Sequence, residues 1–342
     1  MKEVTVVIPN YNGMKYLPEC MASLCQGQEN APEYEVLIID NGSADGSVEY
    51  LDSEWCRKKE APAEEGGKPQ VRLIALPENT GFCHAVNLGI REARSSYVIL
   101  LNNDTRVEAG FVKGLYDAIR KDEKIFSVSA KMLMWDKPEL LDDAGDRYCV
   151  LGWAYSRGKG RPAVDYDKNV SIFSACGGAA IYRRQVFEEI GYFDEAHFAY
   201  LEDIDVGYRA KIYGYKNVYC PSAMVYHVGS GTSGSRYNSF KVRLAARNNI
   251  YLNYKNMPWP QLLLNALPLG LGILVKYGFF KKIGFGKDYL DGLKEGVKTA
   301  KLCKKVKYNR DHLKHYAAIE WELCTGTLLY IREFLARQAA KR

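Results

Sequence analysis

Four short apolar runs, at residues 4–8, 36–39, 71–76 and 97–101, alternate with helix-spaced segments across the first 125 residues. Each run is near-continuous rather than alternating, as parallel strands covered on both faces are. Leu17, Met21, Leu24 and Cys25 recur at helical spacing after the first run, and Ala85, Leu88, Gly89 and Ala93 before the fourth. Residues 57–70 form a polar stretch with Pro and Gly that reads as an exposed loop. The β-α-β-α order predicts a doubly wound α/β domain with ligands at the carboxyl ends of its strands.

Polar residues collect at those ends. The runs close on IPNYNG (8–13), IDNGSADGS (39–47), LPENTGF (76–82) and LNNDT (101–105). One such loop is an ordinary turn, since Asn and Asp bond their own backbone. Four in succession, entering one crevice, point to a polar ligand site. Neither G-x-G-x-x-G nor G-x-x-x-x-G-K-[ST] occurs after these runs, which excludes a Gly-rich phosphate loop.

Beyond residue 125 the pattern changes. Residues 141–169 are loop-rich and aromatic, a hairpin or flap in which Trp153 either stacks on a sugar or sits in the core. Residues 170–195 give a strand, a small-residue run containing Gly177 and Gly178, and a helix. A further strand ends at His227. Glu202, Asp203 and Asp205 open a helix through Ile204, Tyr208 and Ile212. The helix dipole favours acids in a first turn, but three exceed what that requires.

The segments VVIPNYNG, IIDNGSADGS, ENTGFCHAVNLGI, LLNNDT, GGAAIYRRQVFEEIGYFDE, YLEDIDVGYR and VYHVGSGTS, over roughly residues 4–233, together resemble glycosyltransferase family 2. These are inverting sugar-nucleotide enzymes with the GT-A fold, and the bacterial rhamnosyltransferase-like branch is the nearest in appearance. The resemblance implies an α/β, Rossmann-like nucleotide-diphospho-sugar transferase fold with a C-terminal helical extension. It places Pro9, Asn10 and Tyr11 on the nucleotide base and Asp40 on the imide N–H of uracil or thymine; Asp40 capping its own turn is the alternative. Gly81 and Asn87 fall near base and ribose. The family's D-x-D metal motif is Asn102-Asn103-Asp104 here, so Asn103 joins the donor site while Asp104 alone keeps the acid for Mn²⁺ or Mg²⁺. His227 is the expected second metal ligand, its alternative a structural role. Asp203 is expected as general base, with Glu202 binding the acceptor or orienting the site.

Charge adds a second theme. The net charge of +6 conceals a balance of −3 over residues 1–256 and +9 over residues 257–342. Within that basic quarter lies an apolar run, 262–275, interrupted by Asn265 and Pro268 and flanked by Trp259, Tyr277, Phe279, Phe280, Lys276, Lys281 and Lys282. It is too short to span a bilayer and fits the headgroup region of an anionic membrane. A helical homo-oligomer surface is the rival; nucleic acid is not expected, for want of a recognition motif. Nine cysteines without a C-x-x-C pair, and no visible signal peptide, fit a reducing cytoplasm. The expected organisation is a catalytic domain over 1–233, with a nucleotide-sugar half (1–125) and an acceptor half (126–233), then a basic amphipathic helical region over 234–342. The expected reaction moves a sugar, first L-rhamnose, from a dTDP- or UDP-sugar to a growing, lipid-linked cell-surface glycan. A catalytically silent module that binds glycan or scaffolds a partner transferase is the alternative. A sugar nucleotidyltransferase is disfavoured because VVIPNYNG lacks that class's Gly-rich, basic loop.

Overall fold

A computed structural model describes residues 2–56, 69–229 and 237–339. Most of the 57–70 loop and the end of the VYHVGSGTS segment lie outside the described residues, as does the expected boundary at 233/234. The strands are β1 (Val4–Asn10), β2 (Tyr34–Asp40), β3 (Gln70–Ala75), β4 (Tyr97–Leu101), β5 (Thr105–Val107), β6 (Ile125–Met134), β7 (Lys137–Asp143), β8 (Asp146–Tyr148), β9 (Ala154–Ser156), β10 (Val170–Ile172), β11 (Ala179–Arg183) and β12 (Lys216–His227). The helices are α1 (Leu17–Leu24), α2 (Ser47–Leu51), α3 (Phe82–Glu92), α4 (Phe111–Ile119), α5 (Val186–Ile190), α6 (Glu202–Ile212), α7 (Ser239–Asn256), α8 (Trp259–Leu264), α9 (Ala266–Lys282), α10 (Gly286–Thr299) and α11 (Leu313–Ala339).

The main sheet runs β10-β12-β6-β11-β4-β1-β2-β3, with β5 beside β12 and β7 beside β6. Strands β3, β2, β1 and β4 are parallel. Strand order reverses between β1 and β4, and ligands of open α/β sheets lie in the crevice outside the carboxyl ends at such a reversal. Strand β11 then enters antiparallel between β4 and β6, so the second half of the sheet is mixed.

The continuous apolar runs serve two faces at once. Val4, Val6, Ile8, Ile38 and Ile99 pack into one core with α1 and α4. Val7, Leu37, Ile39, Val98 and Leu100 pack into another with α3 and α5. Each fully buried Val, Leu or Ile contributes roughly 1.5–3 kcal/mol.

A third core joins α6 to the later helices through Ile204, Tyr208, Leu252, Ile319 and Leu323. Asp205, fully buried, fastens the same contact: it accepts from Lys255 at 2.9 Å and Asn256 at 2.7 Å as well as from Arg209. Those cations hold its carboxyl far below the usual range despite burial. Asp205, counted above with the helix-opening acids, is thus a structural ion pair.

Helices α8 and α9 leave much apolar surface open. Leu267 is 87% exposed, Trp259 71% and Leu263 70%, with Leu264, Leu271, Leu274 and Val275 also exposed. No helix among the described residues is long and apolar enough to cross a membrane. Trp153 faces this region: its indole donates to the Gly272 carbonyl at 3.2 Å and meets Tyr330 edge-on. Its role is to seat the β8–β9 hairpin on α9 and α11.

Candidate active site

The in-register pair Asn10 and Asp40 closes β1 and β2. Asn103 donates to the Asn10 side-chain oxygen at 2.6 Å, and the Asn10 amide donates to Asp40 at 2.7 Å. This chain of side chains crosses the strand-order reversal and joins three of the expected donor residues. The other Asp40 oxygen accepts from the Ser43 backbone N–H at 2.9 Å, so Asp40 does cap its turn. Pro9 and Tyr11 are half-buried beside it.

Gly81 begins α3 with φ +91°, and a Cβ there would lie 2.6 Å from the Phe198 ring. Only glycine allows the third loop to reach beneath that ring. Asn87 is buried, donates to Phe193 O at 2.8 Å and to Glu195 at 3.0 Å, and accepts from Phe193 N–H at 3.0 Å. With its amide engaged on both sides, it fixes the 193–195 segment.

Asp104 and His227 lie 123 positions apart in sequence and adjacent in space. The cause is the antiparallel pairing of β12 with β5, which sets His227 opposite Thr105. His227 Nε2 stands 3.3 Å from Asp104, while Nδ1 stands 2.7 Å from Asp142. Burial disfavours the imidazolium, but the two carboxylates prevail and raise its pKa to about 9. An imidazole backed by a carboxylate on its far nitrogen, beside a second carboxylate, is a donor set that suits a divalent cation. Asp142 was not legible as part of the site. Its neighbourhood reads only as an aromatic flap.

Glu202 and Asp203 begin α6. Burial raises Glu202 to about 8, helped by the Asp203 charge. Burial also raises Asp203, to about 6, against the pull of the Ile204 and Gly177 N–H groups. Two acids whose proton affinities stand near neutrality are suited to proton transfer. Asp146 approaches from the hairpin: its carboxylate, the Cys176 sulfur and Asp203 bring their ligand atoms within 4.8 Å of one another. Ser174 keeps this spacing, bonding the Asp146 backbone and donating its hydroxyl to the Asp203 carbonyl. A Cβ on Gly207 would lie 2.4 Å from that hydroxyl, so α6 sits tight against it. The turn 142–146 therefore serves both groups, with Asp142 on His227 and Asp146 beside Asp203. Gly178 packs on Asn102 and accepts its N–H at 2.9 Å.

Residues 5–191 match the family model described as Glycosyl transferase family 2. The chain is 28% identical over 257 residues, 67% of its length and 77% of the relative's, to an N-acetylglucosaminyl-diphospho-decaprenol L-rhamnosyltransferase of Mycobacterium tuberculosis. Its fold is similar to that of S. aureus TarS, solved with UDP-GlcNAc (TM-score 0.57, 16% identity, 87% of this chain and 81% of that one). It is also similar to mannosyltransferase PcManGT from Pyrobaculum calidifontis, solved with GDP-Man and Mn²⁺ (TM-score 0.53, 15% identity, 99% and 84%). The fold is thus GT-A with C-terminal helices.

Proposed function

The chain belongs to glycosyl transferase family 2, and from that premise we propose that it moves a sugar, L-rhamnose first, from a dTDP- or UDP-linked donor to a growing, lipid-linked cell-surface glycan. The name of the mycobacterial relative supports both the sugar and the lipid-linked acceptor. The observation that carries the reading is the approach of two functional pairs, Asp104 with His227 and Glu202 with Asp203, to one turn at 142–146.

Each residue then has a task. Asp40, oriented by Asn10 and through it by Asn103, accepts the imide N–H of uracil or thymine, and Pro9, Tyr11 and Gly81 border the base. Asp104 and His227 hold Mn²⁺ or Mg²⁺, which when bound neutralises charge on the diphosphate. The acceptor O–H bond breaks, and its oxygen bonds the anomeric carbon from the face opposite the leaving group. The bond to phosphate breaks, its electron pair departing with the nucleoside diphosphate. Asp203 takes the proton and Glu202 orients the acceptor. Attack from the opposite face inverts the anomeric centre. A lipid-linked acceptor also gives the open apolar surface of α8 and α9, with its lysines, an anionic membrane to rest on.

The test is transfer of labelled sugar from dTDP- and UDP-sugars, alongside thermal stabilisation by the free nucleotides. UDP or dTDP at a hundred times its dissociation constant adds about 2.7 kcal/mol, and GDP or ADP adds little. A guanine preference sinks the role given to Asp40; binding without transfer makes the chain a silent glycan-binding module.

A further inference from the structure

The segment that delivers Glu202 and Asp203 holds the least relaxed backbone in the described chain. Of five non-glycine residues with positive φ, three fall between 198 and 201: Phe198 at 63°, Tyr200 at 70° and Leu201 at 66°. Phe198, with ψ −60°, centres a γ-turn of the rare hand, closed by the Ala199 N–H on the His197 carbonyl at 2.7 Å. Leu201 occupies the left-handed region at the very start of α6. Side chains adopt such conformations only where the surroundings over-determine them, and they gather at functional sites.

One residue supplies most of that determination. Asn248, wholly buried on α7, directs its amide at three carbonyls of the segment: His197 at 2.9 Å, Ala199 at 2.8 Å and Tyr200 at 2.8 Å. Its neighbour Arg247 donates to Ala196 at 2.9 Å and His197 at 3.1 Å. Among the described residues the His197 ring has no hydrogen-bond partner on either nitrogen, and it meets Tyr251 of α7 edge-on, so it adds packing rather than polar restraint. Without the Asn248 amide these carbonyls lose a shared buried donor, and the left-handed residues lose a main restraint that keeps them so.

We propose that Asn248 is a positioning residue for sugar transfer, a clasp that holds residues 197–201 in their strained path and thereby aims Glu202 and Asp203 at the acceptor. It lies outside the residues matched by the family model, on a helix that touches neither the Asp40 nor the Asp104 group through any bond described above. The proposal rests on the reading of Asp203 as the base.

The test is steady-state kinetics of the full chain carrying Asn248→Ala, with calorimetric UDP binding measured beside it. The expected result is a kcat lower by roughly 10- to 100-fold, with UDP affinity and donor KM within about 3-fold. Asn248→Ser, which keeps one donor, should recover part of the loss. Leu201→Gly removes the side-chain objection to a left-handed residue, so in that background Asn248→Ala should cost less in kcat; this pair decides the matter if Asn248→Ala folds poorly. An unchanged kcat with only a lower melting temperature overturns the clasp, as does an equal loss of kcat and UDP binding. Asp203→Asn run in parallel separates the two readings. A dead Asp203→Asn with an undiminished Asn248→Ala defeats the clasp alone, whereas an active Asp203→Asn defeats the base.

Discussion

His227 is hydrogen-bonded through Nδ1 to Asp142 at 2.7 Å, which leaves Nε2 directed at Asp104. The contact fixes the ring's orientation from behind, as outer carboxylates do for metal-binding imidazoles. Asp142→Asn should therefore lower Mn²⁺ affinity by about 10- to 100-fold without touching the ion's ligands. Titration of activity with Mn²⁺, or direct Mn²⁺ binding, measures this. An unchanged affinity means that His227 is structural and the cation is held elsewhere.

Asp203→Asn should cut kcat by roughly 10²–10⁴ while the melting temperature barely moves. Glu202→Gln should be milder. Because burial sets Asp203 near 6, kcat/KM should fall as pH drops through about 6. A larger loss from Glu202→Gln moves the base one residue back.

Stability should carry its own pH signature through Glu202. Burial, then the charge on Asp203, raises its folded-state pKa to about 8 from an ordinary 4.5. Between those values the folded chain holds a proton that the unfolded chain has released, so this group's stability is present below 4.5 and declines as pH rises toward 8. The melting temperature of Glu202→Gln should accordingly fall less than that of the natural chain from pH 5 to pH 8. Parallel curves would leave the burial of Glu202 without consequence.

Anionic liposomes should retain the chain, and salt should release it. Each lysine near such a surface contributes about 1 kcal/mol, screened within a Debye length of about 10 Å at 0.1 M salt. Replacing Leu267 and Leu271, both exposed on α9, with Ser should weaken sedimentation with liposomes and leave transfer to a soluble acceptor intact. Loss of a dimer in place of loss of liposome binding assigns the surface to a second copy.

Much of the nucleotide half was legible in the chain. Buried parallel strands read as unbroken apolar runs, and β4 is found at the expected 97–101. The polar residues at their ends do converge, Asn10, Asp40 and Asn103 even in one hydrogen-bonded chain. Illegible were partners whose meaning depends on distant pairing. Asp142 and Asp146 read as loop until β7 and β8 fold back on the sheet. Asn248 reads as one more polar position of a long helix until the segment it clasps is in view. Asn87 shows the same limit: the resemblance puts it near base and ribose, and only the fold reveals that Phe193 and Glu195 accept from its amide.

The 142–146 turn has a consequence for how such an enzyme can change. Within five consecutive positions, Asp142 steadies the ring of His227, the proposed metal ligand, and Asp146 adjoins Asp203, the proposed proton acceptor. An insertion or deletion there cannot retune one centre by itself; both would be displaced together. On the roles proposed here, drift toward new donors or acceptors is thereby steered away from this stretch.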